Sequence, residues 1–108
     1  MKTTVLITAV LIGIATVSGR AADANENWTK MCIKCHGADG KGATPMGKKW
    51  NLKDLTDAKV QASFTDEKAF KSIKEGIKDG DKTKMKAAEN LSDSDIKALV
   101  THVRSLKK

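Results

Sequence analysis

The sequence predicts a small all-α domain of three to four helices, and three observations carry that prediction. Apolar residues recur at helical spacing in three stretches, and nothing alternates over the run lengths that mark a strand. The length of 108 residues allows one domain. Finally, with two Trp, two Phe and no Tyr, an apolar fraction of 40 % cannot build a large aromatic core, and a domain this small needs a staple or a cofactor to supplement it.

The N-terminus has the layout of an export signal: Lys2 supplies positive charge, Val5 to Val17 is an apolar run, and small residues follow from Ser18 to Ala24. The run is shorter than the roughly 20 residues of a membrane-spanning helix. Residues 1–22 are therefore predicted to be a cleaved signal peptide, with the cut between Ala21 and Ala24, and residues 23–108 to be the mature domain. An uncleaved anchor is the competing reading. No other segment is apolar enough to span a membrane.

The first helix of the mature domain is expected from about Asn25 into Cys35, with Trp28, Met31, Cys32 and Cys35 on one face at i, i+3, i+4 and i+7. A Gly-rich loop follows from Gly37 to Gly47, and a shorter helical turn is expected over Thr56 to Ala62. Thr65 can cap a second helix that carries Asp66 and Glu67 in its first turn, buries Phe70, Ile73 and Ile77, and ends at Gly76. Lys78 to Asn90 reads as a polar loop. Ser92 and Asp95 form a capping box ahead of Ile96, Leu99, Val100, Val103 and Leu106, the strongest helical pattern in the chain.

Both cysteines lie in one pentapeptide, Cys32-Ile33-Lys34-Cys35-His36. Its spacing fits a redox pair, half of a zinc site, a local disulfide or a haem attachment signal. Zinc is short of ligands, because His102 is the only further His or Cys outside the pentapeptide. A redox pair belongs in a βαβ setting, which the sequence lacks, and a disulfide this local closes little chain. The haem reading uses the cysteines and the histidine together, since two thiols add across the two vinyl groups of the porphyrin and His36 supplies an imidazole to the iron. Export agrees with it, because covalent attachment needs an oxidising compartment with ligation machinery.

On Cys32-Ile33-Lys34-Cys35-His36-Gly37 and on Leu99-Val100-Thr101-His102-Val103-Arg104-Ser105-Leu106, the chain resembles the class I mono-haem cytochrome c family. The resemblance covers nearly all of the mature domain and implies helices packed around one covalently bound haem c. It implies that the first and last helices cross, with Trp28 or Met31 meeting Leu99 and Val103. It also implies a second axial ligand from a Met in a late loop, a position that Met85 occupies, whereas Met46 lies ten residues after His36 on the proximal side. A solvent-exposed loop Met is the bland alternative. The resemblance further implies that Pro45 gives its carbonyl to the other ring nitrogen of His36; an ordinary turn Pro is the alternative.

Two departures stand out: Lys86 follows Met85 where the family usually has Pro, and His102 stands where it often has an aromatic, so His102 is expected to be a packing or surface residue. The Trp50 indole N–H is a candidate partner for a haem propionate, with core packing as the alternative.

The formal charge is +7, and cleavage after Ala22 removes Lys2 and Arg20 and no acid, leaving +5. Lys30, Lys34, Lys41, Lys48, Lys49 and Lys53 surround the attachment motif. Aromatic interleaving for stacking bases is missing, so nucleic acid is not expected. The expected partners are redox proteins with acidic docking surfaces, met by a monomer. The reading is a one-electron carrier, not an enzyme, in the periplasm or another exported compartment. The alternative is a five-coordinate haem c domain that binds a small gas or reduces peroxide, which requires Met85 to stay off the iron.

Overall fold

The computed structural model describes Gly13 and residues 19–108. The apolar run of the predicted signal peptide, and with it most of residues 1–22, lies outside the described residues. In chain order the elements are α1 (Gly19–Met31), α2 (Ile33–His36), α3 (Pro45–Lys49), α4 (Ala58–Ala62), α5 (Asp66–Glu75), β1 (Ile77–Asp79), β2 (Lys82–Met85) and α6 (Asp93–Ser105).

The helix ends follow from their caps. The Thr65 hydroxyl accepts from the Lys68 N–H at 3.1 Å, and α5 stops at Gly76 with φ 77°. At α6 both halves of the capping box are made, each at 3.1 Å: Asp95 N–H to the Ser92 hydroxyl and Ser92 N–H to the Asp95 carboxylate.

The core lies where α1 crosses α6 and α5 packs beside them. Trp28, Ile73, Ile96, Leu99, Val100 and Val103 form its buried cluster. The expected crossing is thus made by Trp28. Met31 is 46 % exposed, since about 100° per residue puts it well to one side of the stripe that Trp28 and Cys32 share.

The helix expected from Asn25 into Cys35 starts at Gly19 and is interrupted at Cys32, and the stretch read as a Gly-rich loop to Gly47 already enters α3 at Pro45. Two further expectations need correction. The polar loop contains an antiparallel hairpin, in which Ile77 pairs with Met85 and Asp79 with Lys82, with a bulge after Ile77. Its turn is Gly80-Asp81, where Gly80 takes φ 60°, a conformation that two-residue hairpin turns require. Ile77 also leaves the buried face of the second helix: it lies beyond Gly76, in β1, and is 41 % exposed.

Substitutions separate core from cap. Leu99, 1 % exposed, should lose ~2–5 kcal/mol of stability on change to Ala. Ser92→Ala should cost ~1 kcal/mol by removing one side of the capping box. Denaturant titration checks both, and a larger loss at Ser92 than at Leu99 would contradict the assigned core.

Candidate functional site

Backbone geometry sets the turn that carries the two cysteines. α1 ends at Met31, Cys32 adopts φ −112° and ψ −30°, and helical bonding resumes at once, the His36 N–H donating to the Cys32 carbonyl at 2.9 Å. Trp28, Cys32 and His36 therefore follow one another at i, i+4 spacing on one face. Behind the turn, the Gly42 N–H donates to the His36 carbonyl at 2.8 Å. The Thr44 hydroxyl donates to the Cys35 carbonyl and accepts from the Gly47 N–H at 2.9 Å. The carbonyls of the turn are thus engaged by the loop that follows it, while the Cys32 and His36 side chains border a cleft.

That cleft encloses about 240 Å³ and opens to solvent at its mouth. Trp28, Cys32 and His36 form one side, and Leu99 and Val103 of α6 form the floor. Leu55 and Phe64 enter from either side of α4; Ala69, Ser72 and Ile73 come from α5; Ile77 and Met85 come from the hairpin. Among the described residues, Lys68 is the one charged side chain on the lining. The walls are otherwise almost wholly apolar.

The hairpin strand with Met85 approaches α5 closely. A Cβ at Gly76 would sit 2.5 Å from the Met85 carbonyl and 2.8 Å from the Ala87 nitrogen, so Gly76 is what lets the strand lie there. Beyond it, the Ala88 N–H donates to the Ile73 carbonyl at 2.8 Å.

Electrostatics separate the competing readings of the pentapeptide. Cys32 and Cys35 are free thiols. Burial, with Cys35 adding to it, pushes the Cys32 thiol up to about 11, the opposite of the depressed pKa of a redox or nucleophilic cysteine. No group of three or more His, Cys, Asp or Glu side chains is gathered for a bare metal ion among the described residues. Burial lowers the His36 pKa and so keeps its imidazole neutral, the form that ligates a metal. Among the described residues, His36 Nδ1 and Trp28 Nε1 are buried with no partner. An imidazole, a thioether and a thiol on one apolar cleft is a donor set that fits a haem attached through cysteine.

Cys32, His36 and Met85 are brought together on this cleft; Cys35, Pro45 and Trp50 are not among its walls. Cys35 is half-buried in α2. Pro45 is exposed at the first position of α3, with its carbonyl directed along that helix, and no hydrogen bond joins it to His36 Nδ1. Trp50 ends α3, and the Lys49 ammonium lies 5.5 Å from its ring. Met46, also in α3, stays away from the cleft. His102 packs as expected, its ring 5.1 Å from that of Trp28. The walls at Leu55, Phe64, Lys68, Ala69 and Ser72 were not foreseen. The i, i+3, i+4 relation of Ala69, Ser72 and Ile73 is the signal that points to Ser72.

A family model described as Cytochrome c matches residues 21–107. Cytochrome c-553 of Desulfomicrobium norvegicum is 34 % identical over 80 residues, which is 72 % of this chain and 89 % of that protein. Among solved structures, the KustC0563 c-type cytochrome is 33 % identical with a TM-score of 0.68, covering 80 % of this chain and 99 % of that one. A tyrosine-to-phenylalanine mutant of it gives 32 % and 0.65, covering 79 % and 99 %.

His102 yields a pH prediction. Its Nε2 is buried without a partner among the described residues, and desolvation lowers its pKa from the ordinary 6.5. Because the folded value lies below the unfolded one, the stabilising contribution is complete above about 6.5 and is lost as pH falls through the folded value. The urea midpoint should therefore drop between about pH 7.5 and about pH 5, and His102→Phe should make that drop smaller. An equal drop in parent and variant would show that other groups carry it.

Proposed function

The chain belongs to the cytochrome c family, whose cofactor is covalent haem c, and from that membership we propose that it is an exported one-electron carrier with His36 and Met85 as axial ligands. The observation that carries this reading is the convergence of Cys32, His36 and Met85 on one apolar cleft. When bound, the haem supplies an Fe(III)/Fe(II) couple that accepts and releases one electron. Cys32 and Cys35 tether it through thioether bonds. His36 offers a neutral imidazole from a turn that the loop behind it holds in place, and Met85 offers a soft thioether from a strand anchored against α5. Trp28, Leu55, Phe64, Leu99 and Val103 exclude water from the cleft, which favours the less charged ferrous state.

Placement in the periplasm rests on the signal-like N-terminus and on the need of thioether formation for an exported compartment. No helix among the described residues is long and apolar enough to cross a membrane. The five-coordinate alternative would leave Met85 as a wall residue only; its position on the cleft that His36 also lines supports ligation instead.

The partners are proposed to be redox proteins with acidic surfaces. Lys34, Lys41, Lys48, Lys49 and Lys53 are exposed around the attachment loop, while Lys30 is paired with Glu26 at 2.8 Å. Charges of one sign grouped in this way accelerate encounter more than they tighten a complex.

Visible spectroscopy tests the ligation. The pyridine haemochrome should show one haem with both vinyls saturated, and the oxidised protein should show the weak far-red sulfur-to-iron band. Met85→Ala should keep the covalent haem but lose that band, lower the potential and bind carbon monoxide or cyanide readily; Met46→Ala should keep the haem, the band and the potential. The reverse pattern would overturn the axial assignment.

Docking is tested by kinetics. Electron transfer with an acidic partner should slow as salt rises, since screening over roughly 10 Å at 0.1 M shortens the attraction. Replacing Lys34 and Lys48 by Glu should lower the association rate and flatten that dependence with the spectrum unchanged. A parent rate that ignores salt would mean docking through apolar contact.

A further inference from the structure

α4 and its flanks supply two walls of the cleft, Leu55 and Phe64, yet the one buried side chain of that helix is polar. Gln61 is 4 % exposed, and its amide is fully used. Nε2 donates to the Leu55 carbonyl at 2.6 Å and to the Val103 carbonyl at 2.9 Å; Oε1 accepts from Arg104 Nη1 at 3.0 Å. The same guanidinium donates through Nη1 to the Gln61 carbonyl and through Nη2 to the Phe64 carbonyl at 2.8 Å, with its centre 4.4 Å from the Phe64 ring. The two side chains thus bind the backbone of three wall residues, Leu55, Phe64 and Val103.

We propose that Gln61, braced by Arg104, is a positioning residue for the redox centre: it holds this wall shut against water and so keeps the reduction potential up. The proposal rests on the haem reading of the cleft. Water admitted beside the haem stabilises the more charged ferric state and lowers the potential, because the apolar shell of a metal site sets its dielectric. Nothing apolar in α4 substitutes for the clamp, so losing it loosens the wall without touching a ligand.

The test uses the holoprotein. Gln61→Met conserves volume while removing both donors and the acceptor. It should retain the haemochrome spectrum and the far-red band and show a lower midpoint potential. Arg104→Lys, which keeps the charge but not the fork, should shift the potential the same way by less; it carries the test if Gln61→Met fails to fold. Asp66 meets Arg104 Nε at 2.7 Å from the solvent side, so Asp66→Asn should leave the potential in place. A Gln61→Met protein with reduced thermal stability and an unchanged potential would make the clamp a fold element only and overturn the proposal. An equal shift in Asp66→Asn would also overturn it, by assigning the effect to charge. A parent protein without a haemochrome spectrum would instead sink the haem reading, an outcome visible before any variant is made.

Discussion

The indole of Trp28 packs near two imidazoles, with the His36 ring centroid 5.6 Å away and that of His102 5.1 Å away. It is buried in the cluster formed with Ile73, Ile96, Leu99, Val100 and Val103. Trp28 stands one helical turn before Cys32 and two before His36, so its burial against α6 decides which way the attachment turn faces. Trp28, Ile73, Leu99 and Val103 belong to the core and also line the cleft. Core and site are therefore one object. A domain with so few large apolar side chains leaves one side of its core open; under the proposed function the haem would close it and make cofactor binding a part of folding.

α5, α6 and the attachment turn were legible because their signals are local, whereas the short α3 was read as part of a Gly-rich loop. Thr65, Gly76, Ser92 and Asp95 act within one turn of the boundaries they mark, and the pentapeptide carries its chemistry in five adjacent residues. The hairpin was not legible, since its register positions are nearly all exposed and no alternation of apolar and polar residues betrays it. Gly80-Asp81 was its only trace. The far wall of the cleft was hidden for another reason: Gln61 and Val103 are bonded across 42 positions of sequence, and nothing in either neighbourhood announces the other.

Lys86, in place of the family's usual Pro, raised the question of what stiffens the chain around Met85. The hairpin answers it. Met85 is paired with Ile77, and Gly76 admits its carbonyl to a distance no side chain would tolerate. The next residues are secured by the Ala88 N–H on the Ile73 carbonyl. Rigidity that a proline supplies by fixing its own φ is supplied here by backbone pairing on both sides of the residue. That arrangement leaves Lys82, Lys84 and Lys86 exposed around Met85, without asking any of them to order the strand.

Polar and apolar groups divide the labour of holding the cleft. Toward the cavity the walls are apolar apart from Lys68, Ser72 and the ring nitrogens of Trp28 and His36, so water gains little by entering. Behind the walls the bonds are polar: Thr44 holds the attachment turn, Gln61 and Arg104 hold Leu55, Phe64 and Val103, and the Lys108 N–H ties the chain end to the Thr56 carbonyl at 2.9 Å. Apolar contact is non-directional and lets packed surfaces slide, whereas a hydrogen bond weakens steeply with distance and angle. A thin core alone would therefore leave the walls loose. Directional bonds on the outer side fix them, and under the proposed function a site so held would have little to rearrange when the charge on the iron changes by one.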